Sequence, residues 1–385
     1  MGIRSHRVMG IGLPLLEVLT VAELRAVLAH EFGHFHGGDT SLGPWLYKTR
    51  AGIGRTITNL PDQHSWLRAP FVWYGNAFLR ITHAASRQQE LAADALAAAV
   101  AGPDALASGL KKIHGVGPIV AYFWQDQIVP VLSAGFHPPI GAGIARFTSS
   151  TDSIEEAKRL LSRQLTVATA DIYDTHPALQ ERLAALPTTA AVEDTTDRAI
   201  TLLGDADGLE RALLAHLLPA DEAGSLRAAS WEELATAFWL PVWEGVVRSS
   251  QPRLAGLTPA GAAVFAGHPA GPAVWLGLVP DEAHASESHI DVGVARMGGA
   301  LSVLLHHRGW RIRMVPGEDL VFSREGEEFR PFNLLAGLLT GTLSTAVWEE
   351  RWSAIGLAEE DLGVLAASLP APAASPANPS LRVAP

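Results

Sequence analysis

The chain has 385 residues, 48% of them hydrophobic and 18% charged, a globular composition long enough for two or three domains. Its 40 acidic and 29 basic residues leave a net charge of −11, which argues against a nucleic-acid binder, since phosphate contacts need a basic face. With no cysteine, disulfide scaffolds, thiol catalysis and thiolate metal sites are excluded, so any metal must sit on His and carboxylates.

In chain order, Arg4 and Arg7 precede an apolar run from Val8 to Leu16. Glu17 follows at once and no small-x-small cleavage site appears, so this is not a cleaved signal. Arg7–Leu13 is expected to be a short strand. Capping boxes, in which a hydroxyl and a carboxylate three residues on satisfy each other's backbone amides, are expected at Thr20/Glu23, Ser153/Glu156 and Ser230/Glu233. Helices are expected near 21–36, 71–101, 103–114, 153–166, 177–186, 208–217 and 231–247. Three long uncharged stretches, Gln127–Ala145, Leu254–Pro280 and Pro331–Trp348, are broken or diluted by Pro, Gly, Asn, Ser and Thr, and none reads as a spanning helix. Trp310, Ile312 and Met314 alternate with Arg311 and Arg313, and Leu320–Phe322 follows, which predicts a hairpin or small meander. From Ala366 the sequence is rich in Ala, Pro, Ser and Asn and reads as a disordered tail.

The chemistry concentrates in His30-Glu-Phe-Gly-His34. On a helix, positions i and i+4 share a face, so both imidazoles can approach one metal while Glu31 sits to the side as a proton acceptor. Zinc suits imidazole and carboxylate donors. A catalytic zinc needs a third protein ligand, and Glu90 is the best donor; Asp94, four residues on, would bond a ligand His and fix its tautomer. The alternative for Glu90 is an ordinary solvated face with an Arg87–Glu90 pair. His176 precedes Pro177 at a helix mouth, with Arg182 six residues on, and the two can steady an oxyanion. Equally, His176 caps the helix and Arg182 pairs with Glu181 or another local acid. Tyr173 is a further oxyanion candidate. His36 falls about 200° round the helix from His34 and points away from any metal. His306 and His307 read as surface residues.

Taken together, His30-Glu-Phe-Gly-His34 with Asp39, Glu90-Leu-Ala-Ala-Asp94, and Thr175-His-Pro177 with Arg182 resemble the M48 family of zinc metallopeptidases over roughly residues 8–190. That resemblance implies a gluzincin-type helical core and one zinc per chain on His30, His34 and Glu90. It makes Glu31 the general base, puts Asp94 and Asp39 in support, and turns His176 and Arg182 toward the substrate or intermediate. It also implies a peptide or protein substrate. Family members commonly carry transmembrane helices and an edge strand upstream of this helix, whereas only 29 residues precede His30. The reading therefore favours a missing start, with membrane association through that region; as given, the chain reads as cytoplasmic.

The expected architecture is mainly α (α+β): a metallopeptidase domain over 1–190, an α+β domain of unknown role over 191–365, and a tail over 366–385. The expected activity is zinc-dependent peptide hydrolysis. The alternatives are a non-catalytic zinc-binding or pseudo-protease interaction module, and zinc hydrolysis of a non-peptide amide.

Overall fold

The computed structural model describes residues 9–36, 87–166, 177–187, 196–217 and 224–370. Helices dominate, with two small sheets. The chain packs as two compact units, Met1–Trp124 with Ile144–Leu213, and Gln125–Gly143 with Leu214–Pro385. Relative to the boundary expected at 190, the segment Gln125–Gly143 thus packs with the second unit, and the residues up to Leu213 pack with the first.

In the first unit the expected strand at Arg7–Leu13 does not form over its described part. Residues 9–12 join no strand, and a short helix, α1 (Leu13–Val18), begins with a proline in its first turn. Proline suits that position because its missing N–H would have no helical partner there. Helix α2 (Val21–His36) starts at the expected capping box, with the Thr20 amide donating to Glu23 Oε2 at 2.7 Å and the Glu23 amide to Thr20 Oγ1 at 3.2 Å. The described part of the next expected helix, 87–101, is helical and is named α3. Gly102, at φ 92°, ends it in a conformation that favours glycine, and Pro103 opens α4 (Pro103–Phe123). Helix α5 (Thr151–Thr166) begins two residues before the expected box at Ser153. The hydroxyl of Ser150 accepts from the Ser153 amide, which corrects that start. Helix α6 (Leu179–Ala184) follows.

These helices meet across small residues. Ala22, Ala26 and Ala29 of α2, Ala97, Ala98 and Ala101 of α3, and Ala105, Leu106 and Leu110 of α4 form one buried cluster with Leu179 of α6. Alanine stripes let helix backbones approach closely, which later brings short carboxylate and imidazole side chains into contact.

In the second unit, β1 (Phe136–His137) pairs in parallel with β2 (Arg227–Ala228). The capping box at Ser230/Glu233 forms as expected and opens a helical run continued by α7 (Leu240–Ser249). The central element is α8 (Glu287–His307), absent from the expected helices. Its residues Met297 to Leu305 are all buried, and Gly293 and Gly299 bring it against the Ala273 backbone and the Trp243 ring. The expected meander is present as β3 (Arg311–Arg313), β4 (Val321–Arg324) and β5 (Glu327–Phe329), antiparallel in that order. Its tight turn puts Glu325 at φ 54° and Gly326 at φ 90°, the left-handed pair that a two-residue hairpin requires. Helices α9 (Pro331–Leu339), α10 (Thr345–Ala354) and α11 (Leu362–Ser368) close a core containing Trp310, Trp348 and Trp352. No helix among the described residues is long and apolar enough to cross a membrane.

Candidate metal centre

Three helices of the first unit carry the centre. Helix α2 presents His30 and His34 on one face, α3 presents Glu90 and Asp94 on one face, and α6 supplies Arg182. The approach of α2 to α3 turns on Gly33: a Cβ built there would stand 3.0 Å from both Cα and Cβ of Ala93. Sequence reasoning missed this role, whose signal is the glycine between the two histidines.

The side chains converge at close range. His30 Nε2 is 3.2 Å from His34 Nε2 and 3.5 Å from Glu90 Oε2, while His34 Nε2 is 3.4 Å from Glu90 Oε1. The two rings stand edge to face, with centroids 4.8 Å apart. Donor atoms around a tetrahedral centre with bonds of about 2.0–2.2 Å lie about 3.3–3.6 Å from one another. The two nitrogens stand at about that spacing, and each faces a different oxygen of the Glu90 carboxylate. With one ligand atom from each residue the three lie within 4.8 Å of one another, which among the described residues makes them a group able to hold an ion. Their chemistry, two imidazoles and one carboxylate without thiolate, fits zinc.

Behind this triangle, Asp94 Oδ1 accepts from His30 Nδ1 at 2.9 Å. Asp94 also takes two bonds from Arg182, from Nε to Oδ2 at 2.9 Å and from Nη2 to Oδ1 at 2.7 Å. Arg182 Nη1 lies 3.8 Å from Glu90 Oε2. All three groups are deeply buried: Glu90 is 5% exposed, Asp94 1% and Arg182 5%. Arg87 pairs with Glu181, so the Arg87–Glu90 alternative is not the pairing that forms.

Burial alone would drive the imidazole of His30 toward its neutral form. The hydrogen bonds to Asp94 and Glu90 outweigh it and raise the pKa to about 9. Two buried carboxylates thus create a field that favours positive charge on this spot. For Asp94, burial pushes the carboxyl up, but the bonds from Arg182 and His30 hold it below the usual carboxylate value.

The expected site residues fall into two groups. His30, His34, Glu90, Asp94 and Arg182 come together, and Glu31 is exposed on α2 beside His30. The sequence reading turns Arg182 toward an intermediate or pairs it with a local acid; its guanidinium is instead bound to Asp94, 88 residues away in sequence. His176, Asp39 and Tyr173, and the side chain of His36, lie outside what the structure describes. His306 is half-buried and His307 pairs with Glu244 at 2.9 Å in the second unit.

The first half of the chain is similar in sequence to known peptidases. The family model described as peptidase family M48 matches residues 1–190. Among curated proteins, a "Protease HtpX homolog" of Paraburkholderia phytofirmans is 26% identical over 185 residues, covering 45% of this chain and 56% of that protein. Homologues of the same name from Ralstonia nicotianae and Ralstonia pickettii are each 28% identical over 186 residues, with the same coverage. The chain spans about half the length of the curated relatives it matches. No solved structure matches.

Proposed function

We propose that this chain, whose residues 1–190 match the family model described as peptidase family M48, is a zinc metalloendopeptidase that cleaves peptide or protein substrates through an activated water. The observation that carries the reading is the convergence of His30, His34 and Glu90, whose ligand atoms, one from each residue, lie within 4.8 Å of one another.

In this reading His30, His34 and Glu90 hold the metal. A zinc ion bound there supplies Lewis acidity, polarising the scissile carbonyl and lowering the pKa of water. Glu31, exposed on the same helix, accepts the proton of the attacking water and returns it to the leaving amine. Asp94, which accepts from His30 Nδ1, leaves the Nε2 lone pair aimed at the donor set. His176 is assigned the oxyanion in this reading, as the family resemblance implies. The net charge of −11 is consistent with a substrate other than nucleic acid.

The test compares zinc content and turnover of a general peptide substrate in the wild type, Glu90→Ala and Glu31→Gln. The expected result is one zinc per wild-type chain and loss of zinc from Glu90→Ala. Glu31→Gln is expected to keep the metal and lose on the order of 10²–10⁴-fold in turnover. Normal turnover by Glu31→Gln would overturn the mechanism. A wild type that binds zinc tightly yet cleaves no peptide would point to the non-catalytic module instead.

A further inference from the structure

We propose that Arg182 is a positioning residue of the metal centre, acting through Asp94 to hold the His30 ring with Nε2 facing His34 and Glu90. The proposal rests on the zinc reading above and adds a residue to it.

Asp94 Oδ1 is shared: it accepts from His30 Nδ1 at 2.9 Å and from Arg182 Nη2 at 2.7 Å. One hydrogen bond to a ring leaves a carboxylate free to rotate about its own axis. The second oxygen, bound by Arg182 Nε at 2.9 Å, removes that freedom, because the guanidinium fork matches both oxygens in one plane. A fixed carboxylate plane fixes the direction from which the Nδ1 proton is accepted, and with it the tilt of the ring. Arg182 Nη2 also stands 3.4 Å from His30 Nδ1. Both atoms donate, so this approach is held by the oxygen they share and not by a bond between them.

The same guanidinium lies between two like charges. Glu90 and Asp94 are buried carboxylates one turn apart on α3, and Arg182 reaches both, at 3.8 Å and 2.7 Å. Arg182 is itself tied into place. Its neighbour Glu181 pairs with Arg87 of α3, so two ion pairs of opposite polarity clamp α6 along α3. A lysine at 182 keeps the charge but offers no planar fork, and thus separates charge from orientation.

The experiment measures zinc affinity of the full chain, by competition with a chromophoric chelator, for the wild type, Arg182→Lys and Arg182→Ala. Each variant is measured with and without free guanidinium at a sub-denaturing level. The expected result is zinc affinity weakened on the order of 10–100-fold in both variants. Free guanidinium is expected to restore affinity to Arg182→Ala, where the space is open, and not to Arg182→Lys. If the alanine variant does not fold, as judged by its helical circular dichroism, the lysine variant alone decides the matter. Variants that bind zinc as tightly as the wild type, even with a lowered melting point, would overturn the proposal and leave the zinc reading standing. A wild type that binds no zinc would overturn both.

Discussion

Glu23 gathers more partners than any capping role requires. Its carboxylate accepts from the Thr20 amide at 2.7 Å, the Ser108 hydroxyl at 2.6 Å and the Lys112 ammonium at 2.7 Å, while the residue is 2% exposed. Burial pushes its pKa up, but the bonds from Lys112, Ser108 and Thr20 outweigh it and hold the carboxyl below its ordinary value. A depressed folded-state pKa means stability that is complete above the ordinary carboxylate value and is lost as pH falls toward the lower, folded one. Glu23→Gln is therefore expected to cost about 1–2 kcal/mol at neutral pH, at the low end for charged bonds because Lys112 is partly solvated. The gap should close at a pH below the carboxylate range. Urea melts of both proteins at the two pH values check this, and a gap that is constant with pH would refute it. The Thr20/Glu23 pairing is readable from sequence because its spacing is three, as are His30/His34 and Glu90/Asp94 at four. The choice of Lys112 for Glu23, or of Arg182 for Asp94, is set by helix packing across 89 and 88 residues, and no local pattern announces it.

Two helices approach as closely as their smallest facing residues allow, and for α2 and α3 those residues are Gly33 and Ala93. Intrinsic propensity argues that Gly33→Ala should stabilise α2, by roughly 0.5–1 kcal/mol. The new Cβ, however, would stand 3.0 Å from two atoms of Ala93, one of them backbone, and neither can rotate away. Overpacking of this kind typically costs ~1–3 kcal/mol and therefore wins. Gly33→Ala is expected to lower the melting temperature and, by spreading the donor triangle, to weaken zinc binding. Adding Ala93→Gly should recover much of both, since the pair is coupled through one contact. A Gly33→Ala protein more stable than the wild type would show that α2 and α3 do not meet there. Elements announce themselves in sequence when their first turn is capped, as α2 and the helical run from Trp231 are. Helix α8 lacks a one-sided apolar stripe, because Met297 to Leu305 are buried all round, and Gly293, Gly298 and Gly299 weaken its helical signature. The strand expected at Arg7–Leu13 rests on an apolar run too short to establish one, and its described residues join no strand before α1 opens at Leu13 with Pro14 in its first turn.

At the scale of the chain, two of the cores among the described residues differ in make: an alanine-rich one beneath the metal centre, and one of Leu, Phe and Trp around α8. The alternation at Trp310–Met314 exposes the meander in the sequence, whereas the membership of Gln125–Gly143 in the second unit does not show. That membership includes the pairing of Phe136 with Arg227, which lie far apart in the chain. If each core melts by itself, a ligand of one should leave the other unmoved. Zinc at about 100 times its dissociation constant adds ~2.7 kcal/mol to the state that binds it. For a unit of this size that is roughly 5–10 °C in melting temperature. Calorimetry is therefore expected to show two transitions, of which chelation lowers one by that amount. Leu304→Ala, at a fully buried position of α8, removes packing worth about 2–5 kcal/mol and should lower the other transition while zinc affinity stays at its wild-type value. A single transition moved by both treatments would mean that the cores unfold together, and that substitutions around α8 reach the metal centre through stability alone.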